Sequence, residues 1–196
     1  MAGTAKDAMV RTAIDLLARR GYQGTSFAEV IEGSGAPRGS IYHHFPAGKD
    51  ELVAASVARA GHRAVQALDA IEGQPAPKVV DAYMDMWRAI LVGSDLTAGC
   101  SVLAVTVSSA DLDLVSQTGA VFRAWRERMT EVLTAGGMHR GDAVGFSALL
   151  VAASEGAVVL SRAEGSLTAF DAVASQLRAE AWRLTRPPSQ VPNRPR

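Results

Sequence analysis

The sequence predicts an all-α chain in which a small N-terminal three-helix unit of helix-turn-helix type precedes a larger helical domain. Three observations predict this. Apolar residues recur at helical spacing along most of the chain. A helix start and stop stand close together between Thr25 and Gly35. The short segment that follows is too polar and too aromatic on its outer side to be core.

Val10, Ala13, Ile14 and Leu17 mark the first helix, and Gly21 stops it. Ser26 and Glu29 have the spacing of a capping box, and Phe27, Val30 and Ile31 give the second helix one apolar face. Gly33-Ser34-Gly35 ends it, because glycine takes the left-handed backbone of a helix stop at little cost. Pro37 suits the first turn of the next helix, where its missing N–H is not needed. From that helix Arg38, Ser40, Tyr42, His43 and His44 point outward, while Ile41 and Phe45 anchor it inward. Two short helices joined in this way place the second in the major groove of DNA.

Lys49-Asp50-Glu51 opens a fourth helix with acids in its first turn, running to about residue 71. The break at 72–77 puts the domain boundary around that helix: a DNA-binding domain over 1–48, and a second domain over 49–186 whose first helix, 49–71, links the two. Val80, Met84, Trp87 and Leu91 mark a helix closed by Gly93. Val115, Phe122, Trp125, Met129 and Leu133 mark a longer one ending at Gly136-Gly137. Two more span 142–163 and 167–184, and the prolines at 187, 188, 192 and 195 predict a disordered tail over 187–196. The valines of 100–109 suit a strand on propensity, but no second strand is present to pair with it.

With 196 residues, nearly half hydrophobic and a fifth charged, the chain is globular over most of its length. Its formal net charge is zero, yet residues 1–63 hold eight Lys/Arg against six Asp/Glu, so the positive excess lies with the helix-turn-helix. A single cysteine excludes an intrachain disulfide and a Cys-based zinc site. Met1–Arg11 has no continuous apolar stretch, so no signal peptide is expected, and the apolar run 144–160 is broken too often to suggest a membrane span. A cytoplasmic protein is expected.

The order G-A-P-R-G-S-I-Y-H-H-F over 35–45, with K-D-E-L at 49–52 and A-I-D-L-L…G-Y-Q-G-T-S between Ala13 and Ser26, resembles the TetR/AcrR family of transcriptional regulators. The resemblance covers roughly a quarter of the chain. F-P-A-G-K has one residue more than the commoner F-x-x-K form. It is similar to a lincomycin-resistance-repressor-like subgroup, as is the G-C-x-V-x-x-V segment from Gly99 to Val105. The resemblance implies a helical 100–109 segment, a C-terminal effector-binding domain, a homodimer, and double-stranded operator DNA as partner. It implies that Arg38, Gly39 and His43 face base edges next to Pro37, and that Thr25, Ser26, Ser40, Tyr42, His44 and Lys49 hold phosphates. Phe27 stands where some relatives carry a base-reading side chain.

Met84, Trp87, Cys100, Phe122, Trp125 and Met129 are candidates to line a small-molecule pocket; each would serve equally as core. Glu155, flanked by small and apolar residues, would hydrogen-bond an effector, pair with an arginine across a dimer interface, or reach solvent. Cys100 has no cation within four residues to activate it and reads as a small buried hydrophobe. Small residues in the last two helices permit close approach, and self-association through a four-helix bundle would cover their apolar surface. His43 and His44, about 100° apart on a helix, cannot share a metal, and Gly33, Gly35 and Gly39 miss both the spacing and the preceding strand of a dinucleotide site. No cofactor is expected. The expected function is a ligand-responsive regulator, most naturally a repressor released from a palindromic operator by a small, mostly apolar effector. The rival is a helical carrier or enzyme using the C-terminal cavity, although Ser, His and Asp stand in no nucleophile–base spacing.

Overall fold

The computed structural model describes residues 5–185, and among these the chain forms nine α-helices and no strand. In order they are α1 (Ala5–Arg20), α2 (Phe27–Ser34), α3 (Ser40–His44), α4 (Lys49–Asp69), α5 (Ala76–Gly93), α6 (Ser101–Ser108), α7 (Leu112–Ala135), α8 (Arg140–Glu164) and α9 (Thr168–Thr185). The tail expected over 187–196 lies outside the described residues.

Local sequence accounts for most of these boundaries. Gly21, at φ +71°, turns the chain at the end of α1 and donates to the Leu17 carbonyl at 3.0 Å. Both halves of the capping box form at α2: the Ser26 hydroxyl accepts from the Glu29 N–H, and the Glu29 carboxylate accepts from the Ser26 N–H. Gly35, in the left-handed region at φ +66°, closes α2. Pro37 is displaced from its expected place. It lies in a turn ahead of α3, where its carbonyl accepts from the Ser40 N–H, so the recognition helix starts three residues later and has only five residues. A helix that short does not hold itself together. It is held by Ile41 and Phe45, which are buried against Met9, Val10, Val30 and Leu52.

The 100–109 segment is helical, over Ser101–Ser108. Its β-branched residues are accommodated because Val102 and Val105 are buried, while Thr106 and Ser108 donate to carbonyls one turn back.

Three apolar clusters organise the interior, and α4 feeds all of them: Leu52 enters the N-terminal cluster and Leu68 the large C-terminal one, while Val53 and Val57 meet Leu17 of α1, Val105 of α6 and Leu114 of α7 in a cluster between them. Helix α4 thus belongs to both units, and α1 rests on α6 as well as on its own domain. Further along, Gly61 brings α4 close to α7; a Cβ there would come within 2.9 Å of the Val121 methyls, and its carbonyl accepts from the Trp125 indole at 3.2 Å. Ion pairs of Arg88 with Asp171, and of Arg178 with Asp81 and Asp85, tie α5 to α9.

Helix α8 is long and apolar enough to cross a membrane by length and composition, but half of that window is buried inside the fold. Its other side is exposed and apolar, with Val144, Leu149, Val159 and Leu160 open to solvent and Trp182 of α9 likewise.

Candidate nucleic-acid interface and internal cavity

The outer surface of α3 and the turn before it present Arg38, Gly39, Tyr42 and His43 to solvent, with Ser40 and His44 half-buried. Tyr42 is 67 % exposed, an unusual position for a ring of that size, and Phe27 of α2 holds it edge-on at 5.5 Å between centroids. Phe27 is therefore a support for Tyr42. Arg38 forms no ion pair among the described residues, so its guanidinium is available to a phosphate or a guanine edge.

Four of the residues expected to hold phosphates make hydrogen bonds inside the fold. Thr25 is 1 % exposed and its hydroxyl donates to the Gly21 carbonyl at 2.9 Å, completing the end of α1. The Ser26 hydroxyl is occupied by the capping box, where it donates to Glu29 at 2.8 Å. The Ser40 hydroxyl donates to the Pro37 carbonyl at 2.6 Å. The Lys49 ammonium donates to the Tyr22 carbonyl at 2.6 Å and lies 4.0 Å from the Tyr22 ring centroid, while burial pushes its pKa down. Tyr22 in turn donates to Asp50, so Lys49 and Asp50 latch the start of α4 to the α1–α2 turn. A hydroxyl that has given its one proton inside the fold has none left for a phosphate, whereas the Lys49 ammonium has three donors and one hydrogen bond to Tyr22. Lys6, one turn ahead of Met9 and Val10, was not singled out from the sequence; it is exposed, with its ammonium 5.4 Å from the Phe45 ring beside the recognition helix. Its position on the inward-facing period of α1 is the signal that could have found it.

In the C-terminal domain, an apolar cavity of about 260 Å³ is lined by Tyr83, Met86, Trp87, Trp125, Met129 and Val151, among others. Trp87, Trp125 and Met129 of the sequence candidates reach it; Tyr83 and Met86 were not among those candidates. The remaining four lie elsewhere. Met84 is fully buried in the packed cluster. Phe122 stacks edge-on against Trp125 at 5.2 Å and, with Glu155, lines a separate groove on the outside of α8. Cys100 is buried at the start of α6, where its sulfur accepts from the Leu103 N–H. A helical period tells which side of a helix faces inward, but not whether a neighbour or a void waits there.

Glu155 does not reach solvent. It is 6 % exposed, and neither carboxylate oxygen has a hydrogen-bond partner. The Cys100 thiol stands nearby without the alignment of a hydrogen bond. Burial pushes the Glu155 carboxyl up to about 7. Between its ordinary value of 4.5 and about 7, the folded protein keeps a proton that the unfolded chain has released. Stability is therefore lost as pH rises through that window. The melting temperature is expected to fall from about pH 5 to about pH 8, and Glu155→Gln should flatten that slope; an unchanged slope in the variant would place the titration elsewhere.

Comparison with known proteins gives the family. Residues 10–56 match the bacterial regulatory proteins of the tetR family, and residues 76–176 match the C-terminal domain of LmrA/YxaF-like transcriptional regulators. The chain belongs to the TetR family. An uncharacterised HTH-type regulator of Mycobacterium tuberculosis is 33% identical over 180 residues, covering 88% of this chain and 92% of the relative. The uncharacterised HTH-type regulator YxaF of Bacillus subtilis is 26% identical over 184 residues, covering 89% and 94%. LmrA of the same organism is 40% identical over 55 residues, covering 28% of this chain and 29% of LmrA. Among solved structures, TetR regulators of Legionella pneumophila and Rhodobacter sphaeroides superpose with TM-scores of 0.80 and 0.79 at 20% and 18% identity. The first covers 92% of this chain and 99% of its own, and the second 90% and 98%. The TetR assignment makes the chain a transcriptional regulator with an N-terminal DNA-binding helix-turn-helix.

Proposed function

We propose that this TetR-family regulator is a homodimeric repressor that leaves a palindromic operator when a small, mostly apolar effector fills the cavity between α4, α5, α7 and α8. The observation that carries the reading is the pairing of an exposed recognition surface, Arg38 to His44, with an apolar cavity in the other half of the same chain. The dimer would form through the exposed face of α8 and α9, where Val144, Leu149, Val159 and Trp182 need cover. Two recognition helices related by a two-fold axis then enter major grooves about 34–36 Å apart, or a multiple of that. An effector that fits only another arrangement shifts the population off DNA.

The two halves are joined where such a shift would be felt. Two of the last carbonyls of α1, those of Ala18 and Arg19, have no partner within their own helix and are satisfied from the C-terminal domain. Gly99 donates to Ala18 at 2.9 Å, and Arg162 of α8 donates to Arg19 at 3.0 Å. A Cβ on Gly99 would sit 2.7 Å from the Arg162 guanidinium, so the glycine lets that arginine through. Asp95 and Leu96, in the loop from α5, hold left-handed backbones at φ 52° and 57°, a strain that non-glycine residues bear only when the surroundings impose it. Arg162→Ala is expected to release the end of α1 by about 1 kcal/mol, speeding amide exchange in its last turn about fivefold while α9 stays protected. Equal exchange in both proteins would show that the contact does not hold the helix.

The reading as a whole is tested with the purified protein and the DNA flanking its own gene. Footprinting should protect a palindrome with half-sites one helical turn, or a multiple, apart. Binding equally tight to unrelated DNA would overturn it.

A further inference from the structure

Three aromatic residues, Tyr83, Trp87 and Trp125, and two methionines, Met86 and Met129, are among the residues that line the cavity. Aromatic faces carry negative potential and sulfur is polarisable, so such a lining holds an alkylated cation better than it holds an anion. Nothing in its lining is charged. The charge lies just behind it. Val151 lines both the cavity and the outer groove, and Glu155 is one turn along α8 on the same side. Tyr83 stands between the two: its ring lines the cavity, while its hydroxyl meets Ser154 at 3.2 Å and feels the Glu155 charge.

A buried carboxylate with no partner costs the fold stability and calls for a cation. None is in place. The titratable groups facing Glu155 are Tyr83 from α5 and Cys100 from the start of α6, and neither is positive at neutral pH. Arg126 of α7 lines the outer groove, but among the described residues it forms no ion pair with Glu155. Both Glu155 oxygens are closed off on the groove side and on the cavity side alike, so Glu155 acts on an occupant of the cavity through its field across Tyr83 and not by contact.

We propose that the cavity takes a small lipophilic cation, a tertiary or quaternary ammonium with an apolar body, its charge resting on the Tyr83, Trp87 and Trp125 faces and balanced by Glu155 behind Tyr83. This rests on the cavity being the effector site and adds the charge of the effector to it.

The test compares benzyltrimethylammonium with its uncharged carbon isostere, neopentylbenzene, read by tryptophan fluorescence of the full-length protein at about pH 8, where Glu155 is ionised. The cation should bind at least about tenfold tighter than the isostere, and Glu155→Gln should reduce that preference to about threefold or less. In the wild type, lowering the pH to about 5.5 should erode the same preference, so the proposal stays testable if the variant does not fold. Equal or tighter binding of the neutral isostere, a preference that survives in Glu155→Gln and at low pH, or binding of neither probe would each overturn it. Release of operator DNA by the neutral isostere would leave the effector reading standing while removing the charge assignment. Loss of both binding and release for every apolar probe would remove both.

Discussion

Arg38→Ala is expected to weaken operator binding by about 1–3 kcal/mol, a loss of roughly fivefold to a hundredfold, and to relax the base preference at one position of each half-site. Arg38 is exposed at the turn leading into α3 and has no ion pair among the described residues. Its fork of donors is free to meet guanine or phosphate bidentately. Arg38→Lys separates the two: it keeps the charge and loses the fork, so a phosphate contact would be largely restored and a base contact would not. Mobility-shift titration at fixed salt, on the operator and on single-base variants, measures both. Unchanged binding of Arg38→Ala would remove this residue from the interface.

The second large effect is expected at Ala152. It is exposed on α8 within a stripe that includes Ala148 and Gly156, the side expected to meet a second copy. A charge there would be buried unpaired on both protomers of a dimer, at a cost of several kcal/mol. Ala152→Arg is expected to give monomers by light scattering and to abolish tight binding to a palindrome while leaving helix content intact. Ala152→Glu, a charge of the opposite sign at the same place, is measured alongside, and it too should dissociate the dimer. A dimer unchanged in both variants would place the interface elsewhere.

Much of the architecture was legible along the chain because it depends on neighbours three or four residues away. The capping box of Ser26 and Glu29, the left-handed stops at Gly21 and Gly35, and the inward anchors Ile41 and Phe45 all follow from spacing. The outward donors Tyr42 and His43 were legible for the same reason, since once the anchors are set the helical period places the rest, whereas Arg38 lies in the turn ahead of α3 and outside that period. The 100–109 segment was not legible on propensity, since valine favours strands; it is helical because Val102 and Val105 are buried there in the interior.

The sequence by itself therefore determined that this is a helical DNA-binding regulator and which short helix presents its donors outward. Only the tertiary structure decided which polar groups are engaged inside the fold. Thr25, Ser26, Ser40 and Lys49 look equivalent to the outward donors until their carbonyl and carboxylate partners are known, and Lys49 finds its partner 27 positions away. Only the tertiary structure, too, placed Arg162 on the end of α1, 143 positions distant, and left Glu155 without a partner beside an aromatic cavity. A period in the chain reports the direction in which a side chain points. What it meets there, a packed neighbour, a void or an unanswered charge, depends on segments far away in sequence, brought together by burial that is non-directional and indifferent to chain order.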